Sequence, residues 1–142
     1  MSTDSLIAVS YRREGDDKHF VSLDSHALAD LAIDYTGIPD DERGGTATKL
    51  LCASALYCYA ATLGSALKSR GAKIKSLTGN AVAEKERDGY GRTKISTIKV
   101  RVQVEVDETD QAILEKCRLI MRNGCLVTYS LDEGIHVEYE IQ

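Results

Sequence analysis

Hydrophobic and polar residues alternate most clearly between Arg92 and Val106. Alternation with a period of two is typical of a strand that has one face on a core and the other in water. The segment Ile74 to Glu86 precedes it across a turn with two glycines, so the pair predicts a long β-hairpin. The predicted core-facing residues of the second arm are Ile98, Val100, Val102, Val104 and Val106.

Shorter segments predict the remaining strands. The apolar run Ser5 to Tyr11, the charged turn Arg12 to Lys18 and the segment His19 to Leu23 together predict a second hairpin. A third short strand is expected within Leu28 to Tyr35, which has apolar residues at strand spacing. The alternating segment Ile135 to Ile141 predicts a final strand.

Two segments have helical patterns. The long segment Ala47 to Arg70 has Thr46 as a candidate N-cap and Gly71 as a C-terminal stop. The segment Asp107 to Arg122 is amphipathic, with Thr109 as a candidate cap and a stop at Asn123 and Gly124. Its apolar residues at helical spacing are Ile113, Leu114, Cys117, Ile120 and Met121.

The order of predicted elements is three strands, a long helix, a β-hairpin, a second helix and a last strand. Strands and helices grouped in this way, without regular β-α-β alternation, predict an α+β fold with largely antiparallel sheets. The length of 142 residues predicts a single domain over residues 1–142.

The long predicted helix has no charged residue between Leu50 and Leu67. Its Ala, Ser, Thr, Tyr, Cys and Gly residues are too weakly apolar for the membrane-spanning interpretation. A helix without a polar side is expected to be buried all round. A helix about 36 Å long is hard for one small chain to wrap. We therefore expect a second copy to cover its stripe of small residues, which makes a homodimer.

Charge and cysteine usage narrow the class of protein. A net charge of −4 and scattered basic residues exclude a nucleic-acid partner, which requires a basic face. The segment Met1 to Ser5 lacks the features of a secretory signal. The four cysteines include no Cys-x-x-Cys pair, which argues against a disulfide framework and a zinc site. We expect a cytoplasmic protein without a metal or other cofactor.

The residues alone leave the role of each cysteine open between inert core residue and reactive thiol. Cys58 lies in the middle of the long helix, where a buried cysteine packs as a small hydrophobe. Cys52 lies six residues earlier on a different side of the helix, and Cys117 falls on the apolar face of the second helix. Cys125 follows a predicted helix end, a place where side chains are more exposed. Reactivity requires a thiol with a lowered pKa and a second thiol within reach.

Two segments resemble motifs of the OsmC/Ohr family, the osmotically inducible protein C and organic hydroperoxide resistance proteins. The segment from Gly44 to Cys58 resembles the start of the family's central helix, and Cys58 falls on the peroxide-reacting cysteine. The segment from Asn123 to Leu131 is similar to the second motif, in which Cys125 falls on the resolving cysteine. The order of the other elements also matches, so the resemblance spans essentially the whole chain.

The resemblance implies an OsmC-like fold, in which antiparallel sheets wrap around a long central helix and two copies form an intertwined homodimer. It also implies a cofactor-free peroxidase that reduces organic hydroperoxides. The Cys58 thiolate would attack the O–O bond, Cys125 would condense with the resulting sulfenic acid, and an external dithiol would reduce the disulfide. The alternatives are a non-catalytic dimer that binds a small apolar ligand or a partner, and a thiol redox sensor.

The chain departs from the family pattern at three positions. Ala47 stands where the family has proline, Lys49 where it has glutamate, and Leu126 where proline follows the second cysteine.

Family peroxidases also use an arginine, held by a carboxylate, to stabilise the thiolate. The candidates for it here are Arg12, Arg13 and Arg43, with Glu42 as a candidate carboxylate partner. Lys49 is a further candidate source of positive charge near the start of the long helix.

Overall fold

The computed structural model describes residues 6–142, which form two compact units. The first unit ends at Gly45, and the second runs from Thr46 to Gln142. A single domain over the whole chain stays a prediction, and the two units are described separately below.

The first unit is a three-stranded antiparallel sheet in the order β1-β2-β3, with β1 at Ser10–Glu14, β2 at Lys18–Ser22 and β3 at Leu31–Asp34. The third strand therefore lies within the predicted segment. The first hairpin differs from the prediction, because Arg12–Glu14 continue β1 instead of forming the turn. Charged residues are tolerated there because β1 is exposed, and the Arg12 guanidinium stacks 4.2 Å from the centre of the Phe20 ring. Of the predicted first strand, Ser5 lies outside the described residues, and 6–9 are not in a strand.

The segment after β3 is a loop, as predicted, and contains one 3₁₀ turn at Asp40–Glu42. The Arg43 side chain holds this loop to the sheet. Its Nε donates to the Ile38 carbonyl at 2.7 Å, and its NH1 group donates to the Asp17 carboxylate at 2.8 Å. A guanidinium that forms two directed hydrogen bonds fixes the loop more firmly than a point charge would.

The second unit begins with the long helix α1, Thr46–Ser69. Its observed bounds agree with the prediction to within one residue at each end. The predicted stop at Gly71 is confirmed, because this residue has a φ of 83° and Ala72 N–H donates back to the Leu67 carbonyl at 3.0 Å. Glycine adopts this left-handed conformation without the steric cost that other residues meet.

The predicted long hairpin is also present, as β4 at Ile74–Arg87 and β5 at Thr93–Val106. From Ile98 to Val106 the side chains of β5 alternate as predicted, and the five predicted core-facing residues are buried or half-buried. Residues 93–97 do not alternate, because all five are exposed. The turn is closed by the Asp88 N–H, which donates to the Arg92 carbonyl at 2.8 Å. This sheet packs one face against α1.

A 3₁₀ turn at Glu108–Asp110 follows and leads into helix α2, Gln111–Ile120. Thr109 is not the cap, contrary to the prediction. The Asp107 carboxylate caps the turn and accepts from the Thr109 N–H at 3.3 Å, because it precedes the first helical residue. The main hydrophobic core joins α1, β5 and α2 and contains Leu63, Leu67, Ala72, Val106, Leu114, Cys117 and Met121.

The C-terminal part differs most from the prediction. The segment after Gly124 contains a helix that the sequence pattern did not predict, α3 at Leu126–Glu133. The predicted last strand from Ile135 to Ile141 is not a strand in the described structure. Its apolar side chains are exposed, because the segment has no neighbouring strand with which to form a ladder.

Helix α1 is not buried on every side within one copy of the chain, and its burial by a second copy stays a prediction. Its buried residues are Ala55, Leu63 and Leu67, whereas Tyr57 is 75% exposed. The hairpin, α2 and α3 cover one side only. With the preceding turn, the helical stretch Asp40–Ser69 is long and apolar enough to cross a membrane by length and composition. The core helix of a soluble protein meets the same criteria, so this finding assigns no membrane location.

Candidate functional site: a pair of thiols

The two candidate cysteines lie on separate elements of the second unit that meet in the fold. Cys58 is in the middle of α1, and Cys125 is the residue immediately before α3. Their side chains lie close enough for each thiol to shift the pKa of the other. Both thiols are free. The structure therefore brings together the two residues that the resemblance selected.

Cys125 acts as the N-cap of α3 through a reciprocal pair of contacts with Thr128. The Thr128 N–H donates to the Cys125 sulfur at 3.5 Å, and the Cys125 N–H donates to Thr128 Oγ1 at 2.9 Å. The same hydroxyl lies 3.2 Å from the sulfur. This is a capping box in which a thiol takes the place usually held by serine or threonine. The positive end of the helix and its free N–H groups point toward this sulfur.

Glycine at position 124 makes the capping box possible. Gly124 has a φ of 78°, and a Cβ atom there would lie 2.7 Å from Thr128 Oγ1. A side chain at this position would be strained and would displace the hydroxyl. The turn before it is also held to α1, because the Tyr59 hydroxyl donates to the Met121 carbonyl at 3.2 Å.

The two thiols differ in acidity. Burial raises the pKa of the Cys58 thiol, and the hydrogen bond and negative charge of Cys125 raise it further. The Val127 N–H and the Thr62 side chain lower this pKa, but by less than the other effects raise it. Burial also acts to raise the pKa of Cys125. Hydrogen bonds from Cys58, Thr128 and Val127 nevertheless hold this pKa below its ordinary value. Cys125 is thus the better stabilised thiolate of the pair.

A cleft lies beside Thr128, the residue that contacts the Cys125 sulfur. It has a volume of about 460 Å³ and lies between α1, β5 and α3. Leu51 and Ala55 line it from α1 and share a helix face with Cys58, since the three residues follow the spacing i, i+4, i+7. Thr128 lines it from α3. The other lining residues are Ile95, Ser96, Thr97, Ile98, Val100, Leu131 and Asp132.

The candidate activating cations have other partners in the described structure. Arg12 pairs with Glu14, and Arg13 pairs with Asp16. Lys49 precedes Cys58 by more than two helical turns, which separates them by about 13 Å along the axis.

Arg43 pairs with Asp17 at 2.8 Å and with Asp40 at 3.6 Å. The proposed partner Glu42 is not its carboxylate, because Glu42 lies in a turn that places Asp40 beside the guanidinium instead. Within the second unit, none of the groups that shift the pKa of Cys58 is a guanidinium.

The other two cysteines are separate from the pair. Cys117 is fully buried in the core, as predicted, and Cys52 is half-buried on α1 beside residues 81–83 of β4. Tyr57, flanking Cys58, points to solvent, whereas Tyr59 reaches the turn before Cys125. In the described part of the chain, no group of three or more His, Cys, Asp or Glu side chains is placed to hold a metal ion.

The sequence reasoning missed Thr128, Gly124 and the positioning role of Tyr59. A signal for the first existed, because threonine three residues after a helix cap is a capping-box spacing. The segment after Cys125 was not predicted to be a helix, so this spacing did not lead to the prediction of a cap.

The fold and the thiol pair define an α+β protein with a long helix that carries one of two paired cysteines. A family model described as OsmC-like protein matches residues 39–140. The chain belongs to this family. No curated protein sequence matches it.

Solved structures agree with the family assignment at the level of the fold. An OsmC-like protein from Mycoplasma pneumoniae is 15% identical with a TM-score of 0.67, covering 92% of this chain and 89% of that chain. An OsmC-like protein of unknown function from Vibrio cholerae is 16% identical with a TM-score of 0.61, covering 86% and 89%. An organic hydroperoxide resistance protein from Elizabethkingia anophelis, with thiocyanate bound, is 18% identical with a TM-score of 0.52, covering 81% and 84%. These likenesses confirm an OsmC-like α+β fold.

Proposed function

We propose that this protein is a thiol-dependent peroxidase that reduces organic hydroperoxides through the Cys58–Cys125 pair. The observation that carries the proposal is that α3, which Cys125 precedes, packs against α1, which carries Cys58, so that the two thiols interact. Disulfide formation requires the two sulfur atoms to come within about 2.05 Å of each other. The likeness to an organic hydroperoxide resistance protein supports the same chemistry.

The proposed reaction uses the two thiols in sequence. The Cys58 sulfur attacks one oxygen of the hydroperoxide, so that an S–O bond forms, the O–O bond breaks and the alcohol leaves with a proton. The Cys125 thiolate then attacks the sulfur of the sulfenic acid, forms the disulfide and releases water. An external dithiol returns two electrons and restores both thiols.

The cleft beside the pair supports an apolar substrate. Its volume of about 460 Å³ lies in the range of small-molecule sites. Leu51, Ala55 and Leu131 give it apolar walls, and Thr128, which contacts the Cys125 sulfur, lines the same cleft. An organic hydroperoxide would bury its hydrocarbon part there, whereas hydrogen peroxide has none to bury. We therefore expect a preference for organic hydroperoxides.

Attack by Cys58 requires that its raised pKa be offset by a cation. Arg12, Arg13 and Arg43 remain the candidates for this cation. Each is tested by replacement with glutamine, followed by measurement of the rate at which Cys58 is oxidised. The activating arginine is the one whose loss slows this step while the far-ultraviolet circular dichroism is unchanged. Wild-type rates in all three variants would exclude them.

We also propose an intertwined homodimer with α1 at its centre. The exposed side of α1 carries no charge between Leu50 and Leu67, and its residues include Ser54, Ala61 and Ser65. Small residues allow a second helix to approach closely. An exposed helix face without charges favours contact with another protein surface over contact with water. The exposed apolar segment after Gly134 gives the second copy further surface to cover.

Sedimentation velocity at micromolar concentration tests the dimer. The wild type is expected to sediment as a dimer and Ala61→Glu as a monomer, because the substitution places a charge on the contact face. The matched control is Thr93→Glu, which adds the same charge at an exposed position at the start of β5. A monomeric wild type would refute the dimer.

Peroxide consumption tests the catalytic proposal. The wild type is expected to consume cumene or tert-butyl hydroperoxide with dithiothreitol or dihydrolipoamide, and Cys58→Ser is expected to abolish this. The matched control is Cys52→Ser, which changes a half-buried cysteine on the same helix outside the pair. Absence of consumption by the wild type, or activity retained in Cys58→Ser, would overturn the proposal.

Two other functions would use the same site. Peroxide consumption, ligand displacement and peptide mass spectrometry together distinguish them from the peroxidase. A non-catalytic dimer would consume no peroxide and would bind an apolar ligand in the cleft. An apolar fluorescent probe bound in the cleft would then be displaced by that ligand. A redox sensor would form the Cys58–Cys125 disulfide once, without turnover. Peptide mass spectrometry after one equivalent of peroxide detects the disulfide, and a bond to Cys52 or Cys117 would refute the pairing.

A further inference from the structure

We propose that the external dithiol attacks the Cys58 sulfur of the oxidised pair and that Cys125 leaves as a thiolate, with Thr128 as the residue that positions and stabilises this leaving group. The inference rests on the proposed peroxidase function and concerns its reductive half. It assigns unequal roles to the two sulfurs of a disulfide, which would otherwise offer two points of attack.

The first argument is the hydrogen bonding of the Cys125 sulfur. The Thr128 hydroxyl is 3.2 Å from it and the Thr128 N–H is 3.5 Å from it. The Thr128 oxygen already accepts from the Cys125 N–H, so its own proton is available to the sulfur. When Cys125 leaves, the negative charge thus develops at the start of α3, where donors are already aligned. The lowered pKa of Cys125 agrees with this geometry.

The second argument is access. Cys125 is 5% exposed, whereas Cys58 is half-buried and shares a helix face with the cleft-lining Leu51 and Ala55. Attack on a disulfide sulfur requires approach of the incoming thiolate to that atom. Within one copy of the chain, Cys58 is therefore the more exposed residue of the pair.

The third argument is that the turn carrying Cys125 is held in place. Tyr59 ties the preceding Met121 carbonyl to α1, and Gly124 leaves room for the Thr128 hydroxyl. The donors consequently remain in place when the S–S bond breaks. Reorganisation of the leaving-group environment is small.

The step balances as an ordinary thiol–disulfide exchange. The dithiol's thiolate forms a bond to the Cys58 sulfur, the Cys58–Cys125 bond breaks, and Cys125 takes the bonding electron pair. The second thiol of the reductant then attacks the reductant's own sulfur in the mixed disulfide and releases Cys58, which takes a proton. The reductant becomes a cyclic disulfide, and the protein gains two electrons. Exchange is faster when the leaving thiol has the lower pKa.

Trapping of the mixed disulfide tests the point of attack directly. The pair is oxidised with diamide, treated briefly with 2-mercaptoethanol, and quenched with N-ethylmaleimide. Peptide mass spectrometry is expected to find 2-mercaptoethanol on Cys58 and N-ethylmaleimide on Cys125. The reverse distribution, or equal amounts at the two positions, would overturn the proposal.

Variants of Thr128 test the stabilisation of the leaving group. Thr128→Val is expected to slow reduction of the disulfide by dithiothreitol about threefold to tenfold, and to slow it more than the oxidation of Cys58 by peroxide. Thr128→Ser keeps the hydroxyl and is expected to restore the rate. The matched control is Ser130→Ala, which removes a hydroxyl from α3 that bonds the Leu126 carbonyl and not a sulfur.

A merely structural role would slow both half-reactions in Thr128→Val, and that result would overturn the assignment of Thr128. Failure of the peroxidase function is seen separately, since diamide forms the disulfide without peroxide. A chain that consumes no peroxide while exchange still occurs at Cys58 would refute the function alone. A chain that turns over peroxide with exchange at Cys125 would refute only the point of attack.

Discussion

Strand β5 from Ile98 onward and the segment from Ile135 to Ile141 both have an apolar residue at every second position. In β5 these residues point into the core, and Val106 is only 2% exposed. In the C-terminal segment Val137 is 57% exposed and Ile141 is 98% exposed. The difference is the neighbour, because β5 pairs along its length with β4 and the C-terminal segment pairs with no described strand.

This comparison shows that alternation reports only the capacity to form a strand. A strand needs a neighbour for its backbone N–H and C=O groups and a surface for its apolar face. A hairpin supplies the neighbouring strand within a few residues. A lone terminal segment depends on distant parts of the fold, or on a second chain, for both the neighbour and the surface. The proposed homodimer offers such a surface to the C-terminal segment.

The largest expected effect is that of a charge on the core face of β5. Val106→Asp would bury an unpaired carboxylate, and we expect a loss of about 3–5 kcal/mol in the free energy of unfolding. Urea denaturation followed by circular dichroism measures it. Glu105→Gln, on the opposite face, is the control and should change the free energy by less than about 0.5 kcal/mol. Equal losses in both variants would contradict the assigned faces.

A smaller effect is expected where the hairpin packs most tightly. A Cβ on Gly79 in β4 would lie 2.5 Å from the Arg101 carbonyl oxygen and 3.1 Å from a Val102 methyl. Gly79→Ala should therefore cost about 1–3 kcal/mol by overpacking, measured by urea denaturation. Gly89→Ala is the control, since a Cβ there meets nothing within 4 Å and the backbone φ is not positive. A neutral Gly79→Ala would show that the strands separate freely.

The smallest effect on the chain's own stability is expected in the C-terminal segment. Val137→Asp should change the free energy of unfolding by less than about 0.5 kcal/mol in protein dilute enough to be monomeric, because the side chain is exposed there. It should nevertheless weaken the proposed dimer, which sedimentation equilibrium would detect as a lower average mass. His136→Asp, with its side chain between the alternating apolar positions, is the control. A large loss in the dilute protein would mean that this segment belongs to the core of one copy.

Several features followed from local sequence alone. The long helix, its stop at Gly71 and the hairpin from Ile74 to Val106 were predicted because each depends on residues close together in sequence. The start of the first turn, the cap of the second helix and the whole of α3 were predicted incorrectly. Charged residues in an exposed strand and a cysteine acting as a cap give weak local signals, so pattern alone misjudged them.

The sequence by itself determined the OsmC-like character of the chain, its helix and hairpin, and the two cysteines selected by resemblance. Only the tertiary structure decided that Cys58 and Cys125 lie close enough to interact, that Thr128 holds the second sulfur, and that Cys58 is the more exposed residue of the pair within one copy. The physical reason is the distance along the chain over which each effect acts. Backbone preference and periodicity act over a few residues, whereas the contact of two thiols and the exposure of each depend on how distant elements pack.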